Sequence, residues 1–136
     1  MTGEMHAELF WLTCTALMTA LFWIPYIVTH LLESGVVRAV TDASLDTTPK
    51  AAWAQRAKRA HYNAVENLAV FAPLAISAVL AGADSATTAT ACAVYFFARL
   101  VHYPVATFGV PVVRTVAFAI GSVAQIVLAI AVLAAM

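Results

Sequence analysis

Four long apolar runs alternate with short polar breaks along the chain, at about Ala7 to His30, Ala52 to Ala83, Ser85 to Phe108 and Pro111 to Ala135. None alternates apolar with polar positions, so strands are excluded and helices are expected. About 20 apolar residues suffice to cross a hydrocarbon core of roughly 30 Å. The one long polar segment, Glu33 to Lys50, separates the first run from the second. Gly82-Ala83-Asp84-Ser85 and Gly109-Val110-Pro111 form tight connections, and Pro111 suits the first turn of a new helix because its missing N–H costs nothing there. The pattern predicts an all-α protein, an integral membrane four-helix bundle filling residues 1–136 as one domain, with helices at about 7–30, 52–83, 85–108 and 111–135.

Composition supports the bilayer as solvent. Of 136 residues, 63% are apolar and 10% are charged, whereas a soluble domain carries about 25% charged residues. Mean hydropathy is +0.89. A small cytosolic enzyme, a nucleic-acid binder and a disordered tail are excluded on this ground, and the zero net charge gives no reason to expect a nucleic-acid partner. Cys14 and Cys92 lie in apolar runs and read as reduced, small hydrophobic residues.

The charges that remain are asymmetrically placed. Arg38, Lys50, Arg56, Lys58, Arg59, Arg99 and Arg114 all fall toward the long loop and the third connection. The other side, with both termini and the middle turn, carries Glu4, Glu8 and Asp84 and no basic residue. The positive-inside rule then predicts a cytoplasmic long loop and third connection, with both termini on the opposite side. With no basic residue before Arg38, the first run reads as a retained membrane helix rather than a secretory signal.

The second run opens too polar for a lipid-facing helix, from Trp53 to Asn67, and only Leu68 to Ala83 is uniformly apolar, about 24 Å at 1.5 Å per residue. Arg56, Arg59, Asn63 and Glu66 are spaced by three, four and three, which aligns them on one helical face. Such a face must meet protein or water. It serves either as a polar clamp between helices or as a site for a small zwitterion or peptide, with Glu66 receiving an ammonium and Arg59 and Asn63 holding carboxylate or amide groups. Arg99 and His102 are neighbours on the third helix, and Tyr103 reads as an interfacial aromatic. Arg114 either snorkels to the interface or stabilises an anion; a guanidinium beside a thiol favours the thiolate.

The segment Arg59-Ala60-His61-Tyr62-Asn63-Ala64-Val65-Glu66-Asn67, followed by Phe71-Ala72-Pro73, resembles the signature of the MAPEG family, the membrane-associated proteins in eicosanoid and glutathione metabolism. All four fixed letters of the family's R-A-x-x-N-x-x-E core are present. The resemblance extends to Ala98-Arg99-Leu100-Val101-His102-Tyr103 and to Val113-Arg114-Thr115-Val116-Ala117-Phe118. It implies a homotrimer that uses glutathione as co-substrate, without a metal, and acts on a hydrophobic small molecule delivered through membrane lipid. By position, Arg38, Arg59, Asn63, Glu66 and His102 resemble the glutathione contacts, and Arg114 resembles the arginine that activates the thiol. Ala106 and Phe118 stand where several eicosanoid-directed members carry tyrosines, and Tyr62 stands at an arginine position of the prostaglandin synthase type. The implied activity is therefore a detoxifying glutathione transferase or peroxidase rather than a specialised eicosanoid synthase. The alternative is a non-catalytic lipid- or partner-binding protein on the same scaffold. A small transporter is disfavoured because paired discontinuous helices are missing from the pattern.

Overall fold

A computed structural model describes residues 5–136, so Glu4 lies outside the described residues. The chain forms α1 (Ala7–Leu21), α2 (Ile24–Ser34), α3 (Val36–Thr41), α4 (Ala52–Leu80), α5 (Ala86–Thr107) and α6 (Pro111–Ala135). Among the described residues, three segments are long and apolar enough to cross a membrane, Ala7–Ser34, Ala52–Leu80 and Pro111–Ala135, with mean hydropathies of 1.6, 1.5 and 2.5. The protein is an all-α, multi-pass membrane bundle. α5 is of similar length but less apolar, for a reason visible in its packing: it lies against α1, α4 and α6. Those neighbours shelter Thr88, Arg99, His102 and Thr107, all of which are buried.

Small side chains set the helix spacing. α4 buries Ala54, Ala57, Ala60 and Ala64 along its polar half and Phe71, Ala75 and Ala78 along its apolar half. Alanine at such positions lets backbones approach closely where lipid offers no hydrophobic driving force. Phe71 stacks on Tyr95 of α5, with ring centroids 3.9 Å apart. Ala91, Cys92, Ala124 and Leu128 complete that core. Cys14 and Cys92 are both free thiols.

The first apolar run is two helices rather than one. Pro25 stands in the first turn of α2, where its ring and missing N–H prevent α1 from continuing. The carbonyl of Phe22, released at the break, accepts a hydrogen bond from the Tyr103 hydroxyl at 2.8 Å. The two rings stack at 3.9 Å. Tyr103 thus works as a clasp on the break. Beyond the break, buried Tyr26 shares a hydrogen bond of 2.9 Å with His61 Nδ1 on α4.

Two carboxylates fasten α1 and α2 to opposite ends of the bundle. At one end, buried Glu8 accepts from the Thr88 hydroxyl at 2.5 Å and from the Ser85 N–H at 3.3 Å, over a Ser85/Thr88 capping box that opens α5. At the same end His6 Nδ1 meets Asp84 Oδ2 at 2.9 Å. At the other end, Glu33 accepts from the N–H groups of Lys50 and Ala51 at 2.5 and 3.0 Å. No side chain of α4 caps its own start, so Glu33 supplies an anion where the helix exposes unpaired donors.

The loop between α3 and α4 is braced locally. Asp42 accepts from the Ser44 N–H and Asp46 from the Thr48 N–H, both at 2.9 Å. The bonds from Ser44 hold the Asp42 carboxyl below its ordinary range, and those from Thr48 do the same for Asp46. Glu33→Ala should therefore release the loop's anchor without melting the bundle. Limited trypsin digestion in detergent should cut faster at Arg38 and Lys50, while the thermal midpoint barely moves. An unchanged cleavage rate would show that the loop is held by other contacts.

Candidate anion site at the loop end of the bundle

α4, α5 and α6 converge at the end of the bundle that carries the α5–α6 turn. A cavity of about 340 Å³ lies between them, lined by Arg59, Ala60, Asn63, His102, Ala106, Arg114, Thr115 and Phe118. Helical spacing explains the lining. Arg59 and Asn63 are four apart on α4, His102 and Ala106 four apart on α5, and Arg114 and Phe118 four apart on α6, so each pair shares a face. Buried Ala60 and Ala106 leave the volume open between them.

The electrostatics are one-sided. Two guanidiniums border the cavity and no carboxylate does. Among the described residues the one carboxylate partnered by a basic side chain within ion-pair distance is Asp84, with His6, at the far end of the bundle. A hollow with uncompensated cations and a buried imidazole attracts anions and holds carboxylates or a thiolate by charge-assisted hydrogen bonds. The His102 ring lies 6.4 Å from Phe118, and its Nδ1 is buried without a hydrogen-bond partner. Among the described residues, no three His, Cys, Asp or Glu side chains gather in an arrangement able to hold a metal ion.

Four of the six residues expected at the site, Arg59, Asn63, His102 and Arg114, line this cavity. The other two do not. Glu66 lies further along α4 and is exposed. Arg38 borders a separate polar hollow with His30, Glu33, Asp42, Asp46 and Lys50. Arg56 shares the sequence stripe with Arg59 but serves the fold instead, since its Nε donates to the Thr107 carbonyl at 2.8 Å and closes the end of α5. The same side chain fits against Gly109, whose φ of +76° admits the turn and where an added Cβ would lie 3.4 Å from Arg56 Nε.

One participant was not among the expected site residues. Arg99 is 3% exposed, and its Nη2 donates to Asn63 Oδ1 at 2.8 Å. Its signal was its position three residues before His102, which puts both on the inward face of α5. Behind it the polar chain runs on: the Asn67 amide donates to the Asn63 carbonyl at 2.8 Å, and the Gln125 amide to the Asn67 carbonyl at 3.1 Å.

A larger groove of about 730 Å³ runs between α5 and α6, lined by Val94, Val116, Ile120, Val123 and similar residues. It is lined by no charged residue, whereas the smaller cavity is bordered by two guanidiniums. In comparison with known families, residues 10–134 match the model of the MAPEG family. No curated protein and no solved structure matches the chain.

Proposed function

The chain belongs to the MAPEG family, and from that membership we propose that it is a membrane-embedded glutathione transferase, able also to reduce lipid hydroperoxides with glutathione. The observation that carries this reading is the gathering of Arg59, Asn63, His102 and Arg114 around one carboxylate-free cavity. Arg59, Asn63 and His102 hold the tripeptide's carboxylate and amide groups. Arg114 faces the thiol, stabilises the thiolate once the proton has left to water, and so raises the fraction of nucleophile at neutral pH. The thiolate sulfur then forms a thioether bond to a hydrophobic electrophile arriving from the bilayer, and the leaving group departs as an anion with the bonding pair or, at an activated double bond, the displaced π pair takes a proton from water. In the peroxidase reaction, two glutathione molecules are oxidised to the disulfide while the hydroperoxide becomes an alcohol and water.

In this reading Glu66 and Arg38 complete the site across a subunit contact of a homotrimer. Glu66 takes the γ-glutamyl ammonium, the one cationic group for which the cavity lining offers no carboxylate. Both residues are exposed in the single chain, which leaves them free for a neighbour. The long loop and the α5–α6 turn face the cytoplasm, following the basic residues.

Titration of the purified protein in detergent with glutathione, read by ultraviolet thiolate absorbance, tests the reading. A saturable thiolate band is expected. Absence of both binding and band overturns the proposal, and binding without a band favours a non-catalytic binding protein. Glu66→Ala should weaken glutathione binding by about tenfold or more, the scale of a charge-assisted hydrogen bond, whereas Glu33→Ala should leave it nearly unchanged. Equal effects would return Glu66 to a structural clamp.

A further inference from the structure

We propose that Arg99 is a positioning residue that locks the Asn63 carboxamide with its NH2 group toward the cavity, and so fixes the site's selectivity for an anionic ligand. The inference rests on the glutathione reading for the ligand's identity, but its mechanism stands on three local observations.

The first is the bond itself. Arg99 Nη2 lies 2.8 Å from Asn63 Oδ1. A guanidinium has only donors, so the carboxamide must present its oxygen to Arg99. Its nitrogen, which has no partner within the chain among the described residues, is left for the cavity that Asn63 lines. Without Arg99 the amide could turn over and offer the cavity an acceptor instead.

The second is the burial of Arg99 at 3% exposure. A buried guanidinium is ordinarily met by a carboxylate. Here none is within ion-pair distance among the described residues, and Nε has no hydrogen-bond partner. The guanidinium's hydrogen bond among the described residues goes to a neutral amide at the cavity wall, so no carboxylate cancels its charge there.

The third is that the two guanidiniums and the Asn63 amide around the hollow then agree in sign. Arg59 and Arg114 contribute cations, Asn63 contributes an N–H, and no lining carboxylate opposes them. A ligand carboxylate at Asn63 is held by the amide and stabilised by the charge behind it, without touching Arg99.

The test exchanges the donor for an acceptor of nearly the same shape. In Asn63→Asp one carboxylate oxygen still accepts from Arg99, and the other faces the cavity as a negative acceptor. The expected result is an unchanged or raised thermal midpoint with glutathione binding weakened at least tenfold. Arg99→Met, which replaces the cation by an apolar chain of similar reach, should fold and also bind about tenfold more weakly, and Arg99→Lys should recover most of the loss. Thermal midpoints without ligand supply a second readout: Arg99→Met and Asn63→Leu should be non-additive in the double variant. Additive midpoints overturn the lock whatever the protein binds. Wild-type binding of glutathione by Asn63→Asp overturns the selectivity role. A wild-type protein that ignores glutathione but shows the non-additivity overturns the choice of ligand and leaves the lock supported.

Discussion

Glutathione bound to the Arg114→Ala variant should show no thiolate absorbance at neutral pH, and turnover with a hydrophobic electrophile should fall about 100-fold. The magnitude follows from the work proposed for the cation. Removing one group that stabilises a developing or standing anion costs about 10²–10³ in rate, and Arg114 is exposed in the single chain, so water moderates its field and the lower figure applies. A free thiol titrates at about 8.5. A neighbouring cation stabilises the anionic form and so lowers that value. The thiolate band of the wild-type protein should therefore persist to a more acidic pH, and in Arg114→Ala it should appear only as pH rises toward the ordinary thiol range. Arg114→Lys keeps a charge without the planar fork and should recover part of the band. Binding itself should weaken far less than turnover, because Arg59 and Asn63 remain. If the band and the rate both survive in Arg114→Ala, thiol activation belongs to another group and Arg114 is an interfacial cation.

The sequence carried the helical character of the chain, the bilayer as its solvent and much of the cavity's lining. These depend on local quantities: run length, charge content and residues three or four apart on one helix. Arg59 with Asn63, and His102 on the next helix, are legible for that reason. Other features depend on which element meets which. The break at Phe22–Trp23 is announced by Pro25, yet its repair by Tyr103, 81 positions away along the chain, follows only from packing α5 against α1. Arg56 and Arg59 look alike in the sequence stripe. Only the location of the α5 end, with Thr107 and Gly109, assigns Arg56 to closing a turn and Arg59 to the cavity. Arg99 was legible as a neighbour of His102 on one face of the third helix, but its bond to Asn63 requires the register between α4 and α5. Glu66 and Arg38 remain apart from the cavity because each lies on a surface of the single chain.

Glu8→Ala should be the most destabilising single change outside the core, by about 2–3 kcal/mol, the cost of removing a charged acceptor from the buried Thr88 hydroxyl and from the Ser85 N–H at its edge. At the sequence level Glu8 is only an acidic residue at the start of an apolar run, useful for counting charge. In the structure it is 2% exposed and binds both Thr88 and the Ser85 N–H. Its carboxylate sits at the first turn of α5, where the helix dipole favours an anion. Glu33 makes the equivalent contact at α4 but from a solvated position, so its removal should free a loop rather than the bundle. Glu8 joins α1 to α5, the helix around which α1, α4 and α6 assemble, and loss of that joint should be felt as a lower thermal midpoint of the whole protein. Glu8→Gln keeps an acceptor of the same length and loses the charge, so roughly half the loss is expected. The cavity lies at the other end of the bundle, and glutathione binding below the melting transition should be unaffected in both variants. A thermal midpoint for Glu8→Ala within error of the wild type would mean that the Ser85/Thr88 capping box alone holds the start of α5, and that α1 is kept in place by Trp11 and Leu12 packing on the Phe71–Tyr95 core.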